Sequence, residues 1–134
     1  MHQQTKETVI LPSNIRNKAF DRAIEICEQL QKPIPIPQLA AQVGVSQRTL
    51  ELCFQETIGI SPQTYMRWLR IRATHHELLE HDPATTKVGD VSANWSFTEF
   101  GRFAAEYKKL FGESPSETLR KRTAFTPRRI SDLL

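Results

Sequence analysis

Apolar residues recur at three- and four-residue intervals through most of this chain, and no stretch alternates as a strand would. Over residues 13–31 they fall at Ile15, Ala19, Ala23, Ile26, Cys27 and Leu30, which predicts an amphipathic helix with Ser13 as its N-cap. Proline lacks the amide that a helix interior needs, so Pro33, Pro35 and Pro37 forbid continuation, and Pro33-Ile34-Pro35-Ile36 reads as a short extended connector. A second helix is expected over 36–43, with Pro37 tolerated in its first turn. Gly44 then makes a turn, and Ser46 caps a third helix whose inner face is Leu50, Cys53 and Phe54, with Ile58 near its end.

Gly59 is placed as the left-handed residue just past that third helix. Ser61-Pro62, a capping serine followed by a proline at the first helical position, opens a fourth helix over 62–81 that stops before Asp82-Pro83. Thr85 or Thr86 is expected to cap a fifth helix through Trp95. Ser96-Phe97-Thr98 turns into a sixth, with Phe100, Phe103, Tyr107 and Leu110 on its apolar side and Gly112 at its end. Ser114-Pro115-Ser116-Glu117 is a capping box that opens a seventh helix through about residue 122. Residues 1–12 are polar and aperiodic and are expected to be disordered. Residues 123–134, with Arg128-Arg129, are expected to form a loose basic tail. The fold class is all-α.

The pattern repeats. Phe54 and Tyr107, Gly59 and Gly112, and Ser61-Pro62 and Ser114-Pro115 share an offset of 53 residues, while Leu39 and Val91 before the turns differ by 52. The second turn therefore carries one extra residue. A repeated helix–turn–helix unit commonly places its second helix in the DNA major groove, which is about 12 Å wide. The expected organisation is a first subdomain over 13–60, a linker helix over 61–82 and a second subdomain over 83–122. A rod of roughly 20 residues is about 30 Å long, close to the turn of about 34 Å that separates successive major grooves.

Composition narrows this only a little. The chain of 134 residues with a formal net charge of +3 suits one domain or two very small ones, with a weak lean toward polyanions. Across residues 46–58 Arg48 stands against Glu51 and Glu56, so phosphate attraction must come mostly from elsewhere. Cys27 and Cys53 fall at apolar-periodic positions without a CxxC motif, which reads as buried free thiols in a reducing compartment, a disulfide between them being the alternative. No signal peptide or run of transmembrane length occurs, so a cytoplasmic protein is expected. His75, His76 and His81 are not at the i, i+4 spacing of a two-histidine zinc site and read as the polar surface of the rod. Neither a phosphate-cradling glycine loop nor a nucleophile–base set is evident. No enzyme activity, metal or cofactor is expected, and Trp68 and Trp95 are read as packing residues.

The set Leu39-Ala40, Gly44-Val45-Ser46, Leu50, Phe54, Gly59, Ser61-Pro62, Tyr65 and Arg70, followed by Phe97, Phe103, Tyr107, Phe111-Gly112, Ser114-Pro115 and Arg120, resembles the AraC/XylS-type DNA-binding domain. The likeness runs over about residues 36–122. It implies seven helices in two homeodomain-like subdomains and a transcription regulator, often an activator that contacts RNA polymerase. Family members often carry an effector-binding domain N-terminal to this unit, so an effector ligand is expected to act only through a domain absent from this chain.

The resemblance puts Gln47, Arg48, Glu51, Leu52 and Gln55 at the base-reading positions of the first recognition helix. Arg48 suits guanine, Gln47 or Gln55 suits adenine, and Leu52 stands where the family frequently has arginine. The corresponding positions of the second helix are Thr98, Glu99, Gly101, Arg102 and Ala105; of these Thr98, Gly101, Arg102 and Ala105 are taken as base readers. Arg102 is the one strong donor, and Gly101 serves either close approach to DNA or relief of helix packing. Phe100 is assigned to the core, a groove-facing apolar contact being the alternative. Phosphates are expected at Ser46, Thr49, Ser61, Lys108, Lys109, Ser114, Arg120 and Lys121, with a plain solvated face as the other reading of Lys108-Lys109. The resemblance makes Arg70 structural. Two further readings stay open at this level: a helical protein-interaction module and a non-specific architectural DNA binder.

Overall fold

Left-handed residues punctuate the chain where the glycines predict them: Gly44, Gly59 and Gly112 take φ of 90°, 73° and 75°. An L side chain adopts that conformation only at a cost, so each glycine ends a helix cheaply. The structure, a computed structural model, describes residues 13–121, in which seven helices and no strand occur. They are α1 (Ser13–Glu28), α2 (Ile36–Val43), α3 (Gln47–Ile58), α4 (Pro62–Glu80), α5 (Val88–Asn94), α6 (Phe100–Phe111) and α7 (Pro115–Lys121). The expectations for 1–12 and 123–134 lie outside the described residues.

Most boundaries fall within a residue or two of the pattern, and the exceptions have local causes. Helix α1 stops at Glu28, because Gln29 N donates to Ile26 O at 3.1 Å and Leu30 N to Cys27 O at 3.2 Å, tightening the end into a turn. Ser13 is the first residue of α1 rather than the residue before it. The expected threonine cap of α5 does not form. Asp82 Oδ1 instead accepts from Ala84 N at 2.9 Å and Asp82 O from Thr85 N at 3.2 Å, so Thr85 belongs to a turn, Thr86 follows it, and α5 begins later, at Val88.

The chain divides into two compact units between Met66 and Arg67, within α4. In the first unit Ala19, Phe20, Ala23 and Cys27 of α1 are buried with Leu39 and Ala40 of α2, Leu50, Cys53 and Phe54 of α3, and Tyr65 and Met66. Phe54 is the hub, meeting Phe20 edge-on at 5.0 Å and Tyr65 at 5.5 Å between ring centroids. Both cysteines are free and buried; burial, with help from Glu28, pushes the Cys27 thiol up to about 12, which keeps it protonated and inert.

In the second unit Ile71, Leu78, Val91, Phe97, Phe103, Tyr107 and Leu119 form the core, with Trp68, Trp95, Leu110 and Phe111 packed against it. The indole N–H groups of both tryptophans are satisfied, Trp68 on Glu106 at 3.3 Å and Trp95 on Glu77 at 2.9 Å. Two elements here depart from the sequence reading. Phe100, assigned to the core, is 48% exposed. His75, read as rod surface, is buried and stacked on Phe111 at 4.0 Å with its planes 8° apart. His76 on α4 and His81 just past its end are exposed, His76 paired with Glu80 at 3.0 Å and His81 with Glu77 at 3.3 Å.

The turn between α5 and α6 is longer than the α2–α3 turn but keeps its left-handed position. Gly44 is matched by Ser96, 52 residues on, which is the one positive-φ residue other than glycine among those described, at 67°. The hydrogen bond across the turn is the same in both: Val45 N to Ala40 O at 3.0 Å, and Phe97 N to Ser92 O at 3.1 Å. Arg70 fastens the serine version. Its guanidinium donates to Trp95 O and Ser96 O, both at 3.2 Å, and lies 4.6 Å from the Phe97 ring centroid. Arg70 is thus structural.

Two outcomes follow for stability. Arg70→Ala should cost about 1–3 kcal/mol in urea unfolding, the usual range for a charged donor lost from a carbonyl pair, and an unchanged midpoint would show that the turn holds without it. His75 is held neutral: burial, with His76 beside it, lowers its pKa from 6.5 to about 4 against the opposing pull of Glu113. The unfolded chain therefore takes up a proton that the folded chain refuses, so this contribution is complete above pH 6.5 and is lost as pH falls toward about 4. His75→Phe should lose visibly less stability than the parent between about pH 7 and about pH 5 in paired urea titrations, and parallel losses would rule out His75 as the source.

Candidate nucleic-acid interface

Helix α3 begins where Ser46 stops the turn: its Oγ accepts from Thr49 N at 3.1 Å and donates to Thr49 Oγ1 at 3.0 Å. This cap sets which side of α3 faces out. Leu50, Cys53 and Phe54 go inward, and Gln47, Arg48, Glu51 and Gln55 are exposed with Leu52 half-buried between them. Arg48, Glu51, Leu52, Gln55 and Ser61 line one open hollow of about 270 Å³. Four of the five expected base readers thus meet in a single depression, and Gln47 is exposed at the start of the same helix.

The charge of this face differs from what a count of residues gives. Glu56 accepts from Arg16 of α1 at 2.8 and 3.2 Å, a two-point pair that neutralises one of the two carboxylates on α3. Arg48 has no ion pair among the described residues. Thr49 is buried and its hydroxyl is engaged with Ser46, so the fold gives it a structural task in place of an exposed hydroxyl. Ser61 is half-buried, its Oγ accepting from Thr64 N at 3.1 Å at the start of α4.

Helix α6 carries the matching face in the second unit. Phe103 and Tyr107 point inward, and Gly101, Arg102 and Ala105 are exposed. Thr98 and Glu99 precede the helix, both exposed, and Glu99 at the N-cap makes no side-chain cap. A Cβ built at Gly101 would meet nothing within 4 Å, which removes relief of packing as the reason for that glycine. Arg102 lies 3.9 Å from Glu99 with most of its surface in water, an interaction of little strength. Lys108 and Lys109 are exposed in the last turn, where they also complement the helix dipole.

At α7 the capping box forms in both directions: Ser114 N donates to Glu117 Oε1 at 2.7 Å and Glu117 N to Ser114 Oγ at 3.2 Å. The Ser114 amide is therefore filled by the chain's own carboxylate, which the Ser114 backbone and side-chain bonds hold below the usual carboxylate range. Lys121 donates to Glu113 Oε1 at 2.6 Å. Glu113 also receives the Thr118 hydroxyl, while Tyr107 Oη and Thr118 Oγ1 lie 2.6 Å apart. Burial pushes the Glu113 carboxyl up, but the bonds from Lys121 and Thr118 outweigh it and keep the group ionised. Of the basic groups near α7, Arg120 is exposed without an ion pair among the described residues, whereas Lys121 is occupied. No group of three metal-binding side chains occurs among the described residues.

A family model described as a helix-turn-helix domain matches residues 39–121. The chain is 42% identical over 90 residues to a probable thc operon regulatory protein of Rhodococcus erythropolis, covering 67% of this chain and 27% of that one. It is 31% identical over 107 residues to the XylDLEGF operon transcriptional activator 1 of Pseudomonas putida, covering 79% of this chain and 32% of the relative. The chain thus spans about a third or less of these curated relatives. A solved structure, a probable AraC family transcriptional regulator from Rhodopseudomonas palustris, superposes with a TM-score of 0.68 at 35% identity, covering 78% of this chain and 96% of that one. With seven helices among its described residues, a family match over most of that length and a solved relative of which it covers nearly all, the chain belongs to the AraC/XylS-type helix-turn-helix family of transcription regulators.

Proposed function

We propose that this chain is the promoter-reading part of a cytoplasmic transcription activator that touches RNA polymerase and catalyses no reaction. Helices α3 and α6 enter two successive major grooves. Gln47, Arg48, Glu51, Leu52 and Gln55 make most of the base choice, and Thr98, Gly101, Arg102 and Ala105 bring α6 close to its groove. Lys108, Lys109 and Arg120 contact phosphates, with Ser46 and Ser61 contributing through the helix starts they cap.

The observation that carries this reading is the gathering of Arg48, Glu51, Leu52 and Gln55 around one open hollow on the outward side of a capped second helix. The hydrogen bond repeated across the second turn, Phe97 N to Ser92 O as Val45 N to Ala40 O, supports a second reader of the same build. The names of the relatives, operon regulators and activators, support the sign of regulation.

Selection of bound duplexes from a random pool should return a two-part site whose halves lie about one helical turn apart, roughly 10 base pairs. Binding should weaken steeply with salt yet retain a large preference over a scrambled duplex. Equal affinity for the two duplexes would leave only the architectural reading. Absence of salt-sensitive binding would leave the protein-interaction reading. Within the site, Arg48→Ala should lose about 1–3 kcal/mol and relax choice at one base pair, whereas a uniform loss across sequences would demote Arg48 to a phosphate contact. Gly101→Ala separates close approach from helix propensity. The free protein should gain up to about 1 kcal/mol in thermal or urea unfolding because glycine disfavours helix, while affinity for the selected duplex drops. Unchanged affinity would mean that the α6 backbone stays clear of the groove.

A further inference from the structure

Phe100 and Ile15 are the two large apolar side chains exposed among the described residues, and Phe100 is the more exposed. The other large apolar residues of α6 turn inward: Phe103 and Tyr107 are fully buried, and Leu110 and Phe111 are half-buried against the core. The Phe100 ring meets that of Phe103 at 5.9 Å between centroids and leaves nearly half of its surface in water.

Its place on the helix gives the exposure a direction. Phe100 is the first residue of α6, and side chains on a helix lean toward its N-terminus, so a side chain at this position reaches past the helix start. In a helix-turn-helix the N-terminal residues of the second helix are the ones that meet base edges. The neighbours on that tip are small, polar or open: Thr98 and Arg102 are exposed, and Gly101 has free space where a Cβ would stand. Glu99, the residue before it, is exposed and carries a negative charge, which disfavours a phosphate near this helix start. A phenyl ring offers no hydrogen bond, and the apolar feature of the major groove is the 5-methyl group of thymine.

The geometry points to Phe100 as a specificity-determining residue that packs on the 5-methyl group of a thymine in the groove read by α6. This rests on the DNA-reading function proposed above and names the chemistry that its second half-site recognises. It also explains how α6, with Arg102 as its one strong donor, selects sequence at all: the choice is made by shape against a methyl group.

The test is a double cycle with the full 134-residue chain and the duplex it selects from a random pool. Each thymine of the half-site assigned to α6 is replaced in turn by deoxyuridine, which removes only the methyl. One replacement should weaken binding of the parent roughly fourfold, the value of one buried methyl group, and the same replacement should leave Phe100→Ala unaffected. Phe100→Ala itself should bind the unmodified duplex roughly tenfold more weakly. Phe100→Leu, which keeps an apolar side chain, should retain sensitivity to the methyl and guards against a folding defect in the alanine variant. The inference is overturned by a half-site without thymine, by replacements that never matter to the parent, or by losses of equal size in parent and Phe100→Ala. Loss of all preference for the selected duplex over a scrambled one in the parent is a different result, and it removes the DNA-reading proposal and this one together.

Discussion

Each outward helix is aimed by one left-handed residue in the turn before it. Gly44 does this in the first unit at no steric cost, and Ser96 does it in the second against the preference of its Cβ. The bond across the turn, from Val45 to Ala40 and from Phe97 to Ser92, is the same hydrogen bond displaced by 52 residues. If either turn opened, the hydrophobic face of the following helix would rotate out of register with its core, and Leu50 with Phe54, or Phe103 with Tyr107, would lose cover. The orientation of the exposed face is a by-product of that packing. Arg70 is the counterpart of the missing glycine: two carbonyls of the strained turn are held by a guanidinium that itself rests on Phe97.

The same economy governs charge. Glu56 is taken by Arg16, Glu106 by Arg67 and Trp68, and Glu113 by Lys121 and Thr118. Three carboxylates that count against a polyanion partner in the composition are thereby satisfied inside the fold. Arg48, Lys108, Lys109 and Arg120 remain in solvent with no ion pair among the described residues. Each of those pairs also consumes a cation, Arg16, Arg67 or Lys121, so the formal net charge of +3 is unchanged, and what the pairing decides is which basic groups are left at the helix ends. Lys121 shows the limit of the argument, since a lysine beside a buried-side carboxylate is a structural group whatever its place in a motif.

What was legible in the sequence was local. Glycine at a helix end, serine at a cap and a serine–proline–glutamate box act over three or four residues, so Gly44, Gly59, Gly112, Ser46 and the Ser114–Glu117 pair stand where the pattern puts them. The members of the α3 face were legible too, because a 3.6-residue period with a known inner side determines the outer side. Ser96 was not, since a left-handed serine carries no mark that separates it from an ordinary turn residue. His75 and Phe100 escaped for opposite reasons. A histidine next to a surface histidine gives no sign that Phe111 will stack on it, and a phenylalanine in helical phase with Phe103 gives no sign that the core ends one turn short of it. Both outcomes depend on tertiary packing, which the local pattern does not carry.

The two outward faces, built on one repeated plan, have diverged in chemistry, and the divergence follows from their turns. With Gly44 and a serine cap, α3 starts cleanly, its first turn is anchored through Thr49, and its long polar side chains stand on a fixed base. With one residue more in the turn and a glutamate that makes no side-chain cap at the N-cap position, α6 begins at Phe100, which takes the helix tip, and Thr98 stands two residues before it. A loosely capped start is a poor platform for directional hydrogen bonds, whose strength falls steeply with angle. It suits contacts that depend on shape and proximity, which is what a glycine, an alanine and a phenyl ring provide. In the proposed reading the extra residue of the second turn is therefore the physical origin of a division of labour, with hydrogen-bonded base choice on α3 and apolar, close-approach contact on α6.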